Sequence, residues 1–329
     1  MLSVVIPVFD EQDVLPVLAD RLRRALDDVG EPYEVVFVND GSRDASGAVL
    51  EDVAAGWPAV RIRHLARNVG HQLALTAGLD VARGDWVVTM DADLQDPPEL
   101  IGELLDTARA EDVDIVYARR TDRTSDSAFK RRTANVYYRL MRRTTGVAPP
   151  AHVGDFRLLS ARVVRALHAL PERHRVYRIL IPWLGFRSTV VDYRRDARAA
   201  GTTKYSFRRM ALLAADSLVS FSAAPLRVAT GLGLVSAAVC LVFAVVATIT
   251  ALAGNTVPGW ASITVGMLFL GAVQLICVGA LGEYVGRIFE EVQRRPLYVV
   301  DSDTGEPAVD LAPDARVTAL PVNPPSRPA

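Results

Sequence analysis

Across residues 228–282 there is not one Asp, Glu, Lys, Arg or His. In a chain of 329 residues with 37 Lys and Arg and 38 Asp and Glu, such a stretch has no ordinary place on a globular surface. It divides in two. Residues 228–253 and 261–282 are mostly apolar, and each exceeds the roughly 20 residues needed to cross a hydrocarbon core as a helix. Between them, Gly254-Asn255-Thr256-Val257-Pro258-Gly259-Trp260 reads as a tight turn with a Trp at the interface. The two runs predict a transmembrane hairpin. Arg227 precedes it and Arg287, Arg294 and Arg295 follow, while the turn holds no basic residue. By the positive-inside rule both ends lie on the cytoplasmic side of the inner (plasma) membrane, with 283–300 as a cytoplasmic return segment. Gly231, Gly233, Ala237 and Ala238 in the first run allow close helix packing, and so a homo-oligomer.

The N-terminal part has the pattern of an α/β domain. Residues 3–9 read as a buried strand ending at Asp10-Glu11, too short and too poor in basic residues for a signal peptide. Val14, Leu15, Leu18, Leu22, Leu26 and Val29 then recur at helical spacing until Gly30. Strands follow at 33–38, 60–65, 86–90 and 115–118, with helices at 44–55, 73–82 and 100–110 between them. That alternation predicts a mainly parallel sheet covered on both faces. Acidic residues end the first, second and fourth strands, so they gather on one rim, where α/β sheets bind ligands. No G-x-G-x-x-G follows the first strand and no G-x-x-x-x-G-K-[ST] occurs, which argues against a nicotinamide or flavin cofactor and a P-loop.

The stretch W-V-V-T-M-D-A-D-L-Q-D-P-P-E, from Trp86 to Glu99, carries the densest chemistry. A buried strand runs straight into Asp91 and Asp93, and carboxylates so placed are costly unless a cation lies between them. Hard oxygen ligands with few neighbours suit Mg²⁺ or Mn²⁺, completed by phosphate and water. The bland alternative is a turn that happens to be acidic.

Two segments mix basic and apolar residues. Residues 127–143 carry Phe129, Val136, Tyr137, Leu140 and Met141 with Lys130, Arg131, Arg132, Arg139, Arg142 and Arg143. Residues 205–227 carry Phe207, Met210, Leu213, Leu218 and Phe221 with Arg208 and Arg209. Both read as amphipathic interfacial helices on an anionic bilayer surface; core packing of the aromatics is the alternative for the first. The net charge is -1, so nucleic acid is not an expected partner. Cys240 and Cys277 lie in the uncharged region and read as packing residues. His71 lies near the acidic rim by pattern. Residues 301–329 are rich in Pro, Ala and Asp with no periodic apolar face, and read as a disordered tail.

Six motifs occur in order: V-V-I-P-V-F-D-E, V-N-D-G-S, R-N-V-G-H, T-M-D-A-D-L-Q-D-P-P-E, G-D-F-R-L-L-S and R-A-A-G-T-T-K-Y-S. Together they resemble the inverting glycosyltransferases of family 2, in particular the polyprenyl-phosphate glycosyltransferases, over about residues 1–300. The resemblance implies a GT-A fold over 1–204, with the hairpin at 228–282 as a separate part. It also implies residue roles. Pro7 and Glu11 line the base and ribose end of a nucleotide diphosphate sugar, and Asp40 accepts from the base. Asp91 and Asp93 hold the divalent ion, and Gln95 lies beside the sugar. Arg198 and Lys204 close on the donor phosphates, and Asp155 sits where the family places a candidate base. The family usually carries Asn where this chain has Asp10, a change expected to disturb little since Glu11 stays.

A polyprenyl phosphate acceptor arrives ionised, because a phosphomonoester has a second pKa of roughly 6. It needs cations more than a base, and Arg119, Lys130 and Arg131 are the candidates. Asp155 could then pair with Arg157 or bind sugar instead of taking a proton. The implied activity is transfer of one hexose with inversion, from a UDP-sugar by preference, for cell-envelope glycan assembly. Transfer of mannose from a GDP donor is the alternative. A processive synthase would carry Q-x-x-R-W, which neither Gln274 nor Gln293 begins; a non-catalytic membrane anchor would not need Asp40, Asp91, Asp93 and Lys204 together.

Overall fold

The computed structural model describes residues 1–121, 153–173, 175–194, 224–253 and 259–305. Lys130, Arg131, Arg198, Lys204, both amphipathic segments up to residue 223, and the tail beyond 305 lie outside these residues. The chain divides into two compact units. One comprises Met1–Ala128, Pro149–Thr203 and Arg294–Ala329; the other comprises Phe129–Ala148 and Lys204–Gln293.

The first unit is built on an eight-stranded sheet. Its elements run β1 (Leu2–Val8), α1 (Leu15–Val29), β2 (Tyr33–Asn39), α2 (Ser46–Gly56), β3 (Val60–Leu65), α3 (His71–Leu79) and β4 (Trp86–Thr89). A 3₁₀ turn at Pro98–Leu100 leads into α4 (Ile101–Ala110), then β5 (Ile115–Arg120), β6 (Val153–Ser160), α5 (Ala161–His168), α6 (Tyr177–Trp183), β7 (Ser188–Tyr193) and, much later, β8 (Val300–Asp303). The strand order is β7-β5-β6-β4-β1-β2-β3-β8. The pairs β1–β2, β1–β4, β2–β3 and β5–β7 are parallel. β6 is antiparallel to both β4 and β5, and β8 is antiparallel to β3.

All seven residues of β1 are buried, as a central strand covered on both faces must be. The pleat sends Val4 and Ile6 into the cluster formed with Leu15, Leu18, Leu22 and Leu26 of α1 and Leu104 and Leu105 of α4. Gly30 ends α1 with φ 70°, the left-handed position where a residue without Cβ is unstrained. Val5 points to the opposite face. There α3 lies so close that a Cβ on Gly78 would collide with Val5 Cγ1 and stand 3.0 Å from Val38 Cγ2.

The sheet adds a strand to the expected layout and corrects one boundary. G-D-F-R-L-L-S lies within β6, a strand that the spacing does not announce, inserted antiparallel between β4 and β5. Residues 301–305, expected within a disordered tail, are ordered. β8 closes the free edge of β3, with Thr304 N donating to Ile62 O at 2.9 Å and Ile62 N to Thr304 Oγ1 at 2.8 Å. Asp303 accepts from Arg61 Nε and Nη2 at 2.7 and 2.9 Å and from Arg63 Nε at 2.9 Å. Tyr298 anchors the approach by donating to Asp80 Oδ2 at 2.7 Å.

The second unit contains α7 (Ala224–Leu252) and α8 (Trp260–Gln293), of 29 and 34 residues. At about 1.5 Å per residue both outreach a hydrocarbon core of ~30 Å. Their apolar windows, Ala229–Val246 and Phe269–Gln293, have mean hydropathies of 2.4 and 1.5, enough to cross a membrane. Leu234, Leu241, Phe243, Met267 and Leu275 are all exposed, which suits a lipid environment. Cys277 Sγ meets Ala229 O at 3.3 Å, a packing contact between the helices. The expected return segment from 283 is helical as far as Gln293, and Arg287 pairs with Glu283 one turn back at 3.1 Å.

Candidate active site

Every parallel strand of the centre ends on the same rim, and the loops there are tied to one another. Ser42 Oγ accepts from Asp10 N at 3.1 Å, Ser46 Oγ from Glu11 N at 2.9 Å, and Asp44 Oδ2 from Gln12 N at 3.2 Å. In return Asp10 Oδ1 accepts from Arg43 N at 2.8 Å and Gln12 Oε1 from Ala45 N at 2.8 Å. Asp10 has φ 54°, a conformation that Asp and Asn both tolerate, and an Asn oxygen would accept the same bond. Gly41 is required for a different reason. It has φ 63°, and a Cβ there would lie 2.6 Å from Asn68 N and 2.7 Å from Arg67 C.

Asp40 follows β2 and is almost fully buried. Its two oxygens accept from Val69 N at 2.7 Å and Gly70 N at 2.9 Å, fixing the approach to α3. Burial pushes its carboxyl up, against the pull of those two amides. Pro7 is buried near the end of β1, and Glu11 lies just beyond it.

At the end of β4, Leu94 adopts φ 58° and turns the chain so that Gln95 N donates to Asp93 Oδ1 at 3.2 Å. Asp91 points elsewhere. Because β6 runs antiparallel, its first residues meet the carboxyl end of β4, with Arg157 opposite Thr89. This brings Asp155 beside Asp91, and α3 contributes His71. His71 Nε2 lies 3.2 Å from Asp155 Oδ2 and 3.6 Å from Asp91 Oδ1. The three ligand atoms fall within 4.8 Å of one another, and Asp93 is not among them.

Burial pushes the Asp91 carboxyl up to about 6; the neighbouring His71 opposes this, while the charges of Asp155, Asp96 and Asp93 reinforce it. Asp155 goes the other way. Burial alone would raise it, but the Arg157 charge and the His71 hydrogen bond hold it well below the usual carboxylate range. Burial would lower the His71 imidazole, yet the Asp155 hydrogen bond and the two carboxylate charges hold it above its ordinary value. Arg157, 1% exposed, clasps Asp155 Oδ1 through Nη2, which also donates to Gly154 O at 3.2 Å. Gln72 reaches Asp155 Oδ2 at 3.5 Å and accepts from Tyr177 N at 3.0 Å, so it ties α6 to the site.

These donors fit a divalent cation. Two partly buried carboxylates and an imidazole nitrogen converge within the span of one coordination sphere. Arg119, a sequence candidate for the acceptor phosphate, stands at the carboxyl end of β5 opposite Val153 of β6, but its side chain is engaged elsewhere. It forms a two-pronged pair with Asp192 of the edge strand β7, at 2.5 and 2.7 Å. Arg157 makes the pairing with Asp155 that the sequence offered as one alternative, whereas Gln72 went unnoticed as a support, its only signal being adjacency to His71. Asp96 was read only as part of an acidic run. It is wholly buried, accepts from the Tyr193 hydroxyl, and lies 3.5 Å from Arg120 Nη2.

Residues 3–167 match the profile of Glycosyl transferase family 2. An uncharacterized glycosyltransferase of Bacillus subtilis (strain 168) is 40% identical over 304 residues, covering 92% of this chain and 94% of its own. The bactoprenol glucosyl transferase of Shigella phage SfII is 41% identical over 308 residues, covering 93% and 99%. Among solved structures, the Mycobacterium tuberculosis glucosyl-3-phosphoglycerate synthase with Mn²⁺ and UDP-glucose aligns at 18% identity and a TM-score of 0.47, covering 67% of this chain and 77% of that one. That likeness is too loose to carry residue roles. The chain belongs to glycosyl transferase family 2. It is an enzyme that transfers sugar.

Proposed function

We propose that this glycosyltransferase moves a single hexose from a nucleotide diphosphate sugar, a UDP-sugar by preference, onto polyprenyl phosphate at the cytoplasmic face of the inner membrane, with inversion. The product would be a polyprenyl-phosphate-linked sugar for cell-envelope glycans. The observation that carries this is the convergence of His71, Asp91 and Asp155 on the rim of a family 2 domain whose chain also holds two membrane-length helices. Kinship over nearly the whole length with a bactoprenol glucosyl transferase supports the lipid acceptor.

Asp91, Asp155 and His71 would hold Mg²⁺ or Mn²⁺, with Asp93 in the adjoining turn. When bound, the ion supplies positive charge against the leaving diphosphate. Pro7, Glu11 and Asp40 would take the base and ribose, on loops already cross-tied before any ligand arrives, which lowers the ordering cost of binding. Gln95, buried beyond the turn at Leu94, would border the sugar. Arg198 and Lys204 would close over the donor phosphates, and Lys130 and Arg131 would grip the acceptor phosphate. Arg119 would join them with the donors that its pair with Asp192 leaves over, or by exchanging Asp192 for phosphate. An acceptor that arrives ionised needs to be held in line more than deprotonated. That agrees with the depressed Asp155 carboxyl, which is a weak proton acceptor and a good partner for a cation.

The test is full-length protein in detergent micelles with undecaprenyl phosphate and radiolabelled UDP-glucose, UDP-N-acetylglucosamine or GDP-mannose. A labelled lipid product from a UDP-sugar, lost on chelation and regained with Mn²⁺, is expected, and its anomeric configuration by NMR should be inverted. Product from GDP-mannose alone would replace the donor assignment. Hydrolysis without any lipid product would refute the acceptor.

A further inference from the structure

His71 Nε2 stands against both carboxylates, where it can pair with them as a cation or, deprotonated, face an ion that they hold. His71 opens α3, and its side chain is 41% exposed, so an incoming ion with its water and phosphate ligands can reach the ring. Neighbouring ligands on an octahedral ion with bonds of about 2.1 Å sit about 3.0 Å apart. The 3.2 Å between His71 Nε2 and Asp155 Oδ2 is close to that edge, and the 3.6 Å to Asp91 Oδ1 needs only a small turn of a ring that is free on one side. The Asp155 carboxylate is already braced from behind. One oxygen is clasped by the buried Arg157, and Gln72 reaches the other at 3.5 Å. Metal-binding carboxylates characteristically have such supports.

We infer that His71 is a third protein ligand to the divalent ion, and that its nitrogen tilts the site from Mg²⁺ toward the first-row transition ions, with Mn²⁺ as the one to probe. Mg²⁺ prefers oxygen and keeps its waters, so an imidazole adds little to its binding. First-row transition ions bind imidazole better than Mg²⁺ does; Mn²⁺ gains least among them and is the probe because EPR reads its bound ligands directly. A site made of Asp91, Asp93 and Asp155 alone would lack this bias. The inference rests on the metal-assisted reading above and is tested without turnover.

Full-length protein in micelles with UDP is titrated with Mn²⁺, the free ion being read by EPR, and Mg²⁺ is then added as competitor. Pulsed EPR of the bound Mn²⁺ should show nitrogen modulation from a coordinated imidazole. In His71→Gln, checked for an unchanged melting temperature, the modulation should vanish. Mn²⁺ affinity should fall about tenfold or more while Mg²⁺ affinity stays within about twofold. Wild-type protein that binds Mn²⁺ without nitrogen modulation overturns the inference and leaves the metal-assisted reading standing. An equal fall for both ions also overturns it, since His71 would then only be arranging the carboxylates. Wild-type protein that binds no Mn²⁺ at all, with UDP still bound, removes both.

Discussion

Replacing Asp303 by Ala should destabilise the catalytic unit far more than its place in a Pro- and Asp-rich tail implies. The carboxylate takes three hydrogen bonds from two guanidiniums, and the side chains of Arg61, Arg63 and Asp303 are 11, 6 and 12% exposed. Removing one partner of a buried pair costs about 3–5 kcal/mol, mostly because the charge left behind has lost its water without compensation. The clasp lies at a sheet edge, where water can partly return, so the lower end, ~3 kcal/mol, is expected. For a domain of this size that is a fall in Tm of roughly 6–12 °C. The freed β3 edge should also make the protein associate as concentration rises. The pH dependence has a definite sign. Burial raises the Asp303 carboxyl, but the hydrogen bonds from Arg61 and Arg63 prevail and hold it below its ordinary value. Its contribution is therefore complete above the unfolded pKa of about 3.9 and is lost as pH falls through the folded pKa. The gap between wild type and variant should be the same at pH 7 and pH 5 and narrow below about pH 4. Thermal unfolding of the full chain in micelles, followed by tryptophan fluorescence, measures it, with Asp301→Ala on the exposed side of the same strand as control. If Asp303→Ala melts with Asp301→Ala, β8 is not holding the sheet edge and the reasoning is wrong.

Other changes probe the site. Asp93→Asn should leave the melting temperature unchanged and lower kcat about a hundredfold, ~2.7 kcal/mol, if its charge serves the ion and diphosphate; wild-type turnover in that variant would remove Asp93 from the metal site. Gly78→Ala should lift α3 from Val5 and Val38 at a cost of about 1–3 kcal/mol. Because α3 begins with His71 and Gln72, kcat should drop along with Tm, and a loss of stability without loss of rate would show that the helix does not set the site. Arg131→Ala should raise the acceptor KM roughly tenfold or more with donor binding unchanged, and Arg131→Lys should restore only part, since the charge returns without the two-pronged grip. Equal KM values in steady-state assays would place the acceptor phosphate elsewhere.

Much of the molecule could be read locally. A run of residues without charge must find lipid or a large core, so the two long helices follow from composition alone, although not where the second one stops. The alternation of apolar strands with α1, α2, α3 and α4 fixes an α/β sheet, and acids at strand ends mark its rim. What stayed hidden depends on partners distant in the chain. The pairing of Asp155 with Arg157 is open to the sequence as one alternative, but their place on a strand inserted between β4 and β5 is not. β8 is short and acidic, and only the buried Arg61 and Arg63, some 240 residues earlier, make it a strand. The sequence singled out Asp91 and Asp93 as a pair because they are two apart. The antiparallel entry of β6 and the start of α3 instead set Asp155 and His71 against Asp91, while the left-handed turn at Leu94 engages Asp93 with Gln95 N. Periodicity and composition record which side chains avoid water; which charges meet is decided by strand order and direction, and those exist only once the sheet has assembled.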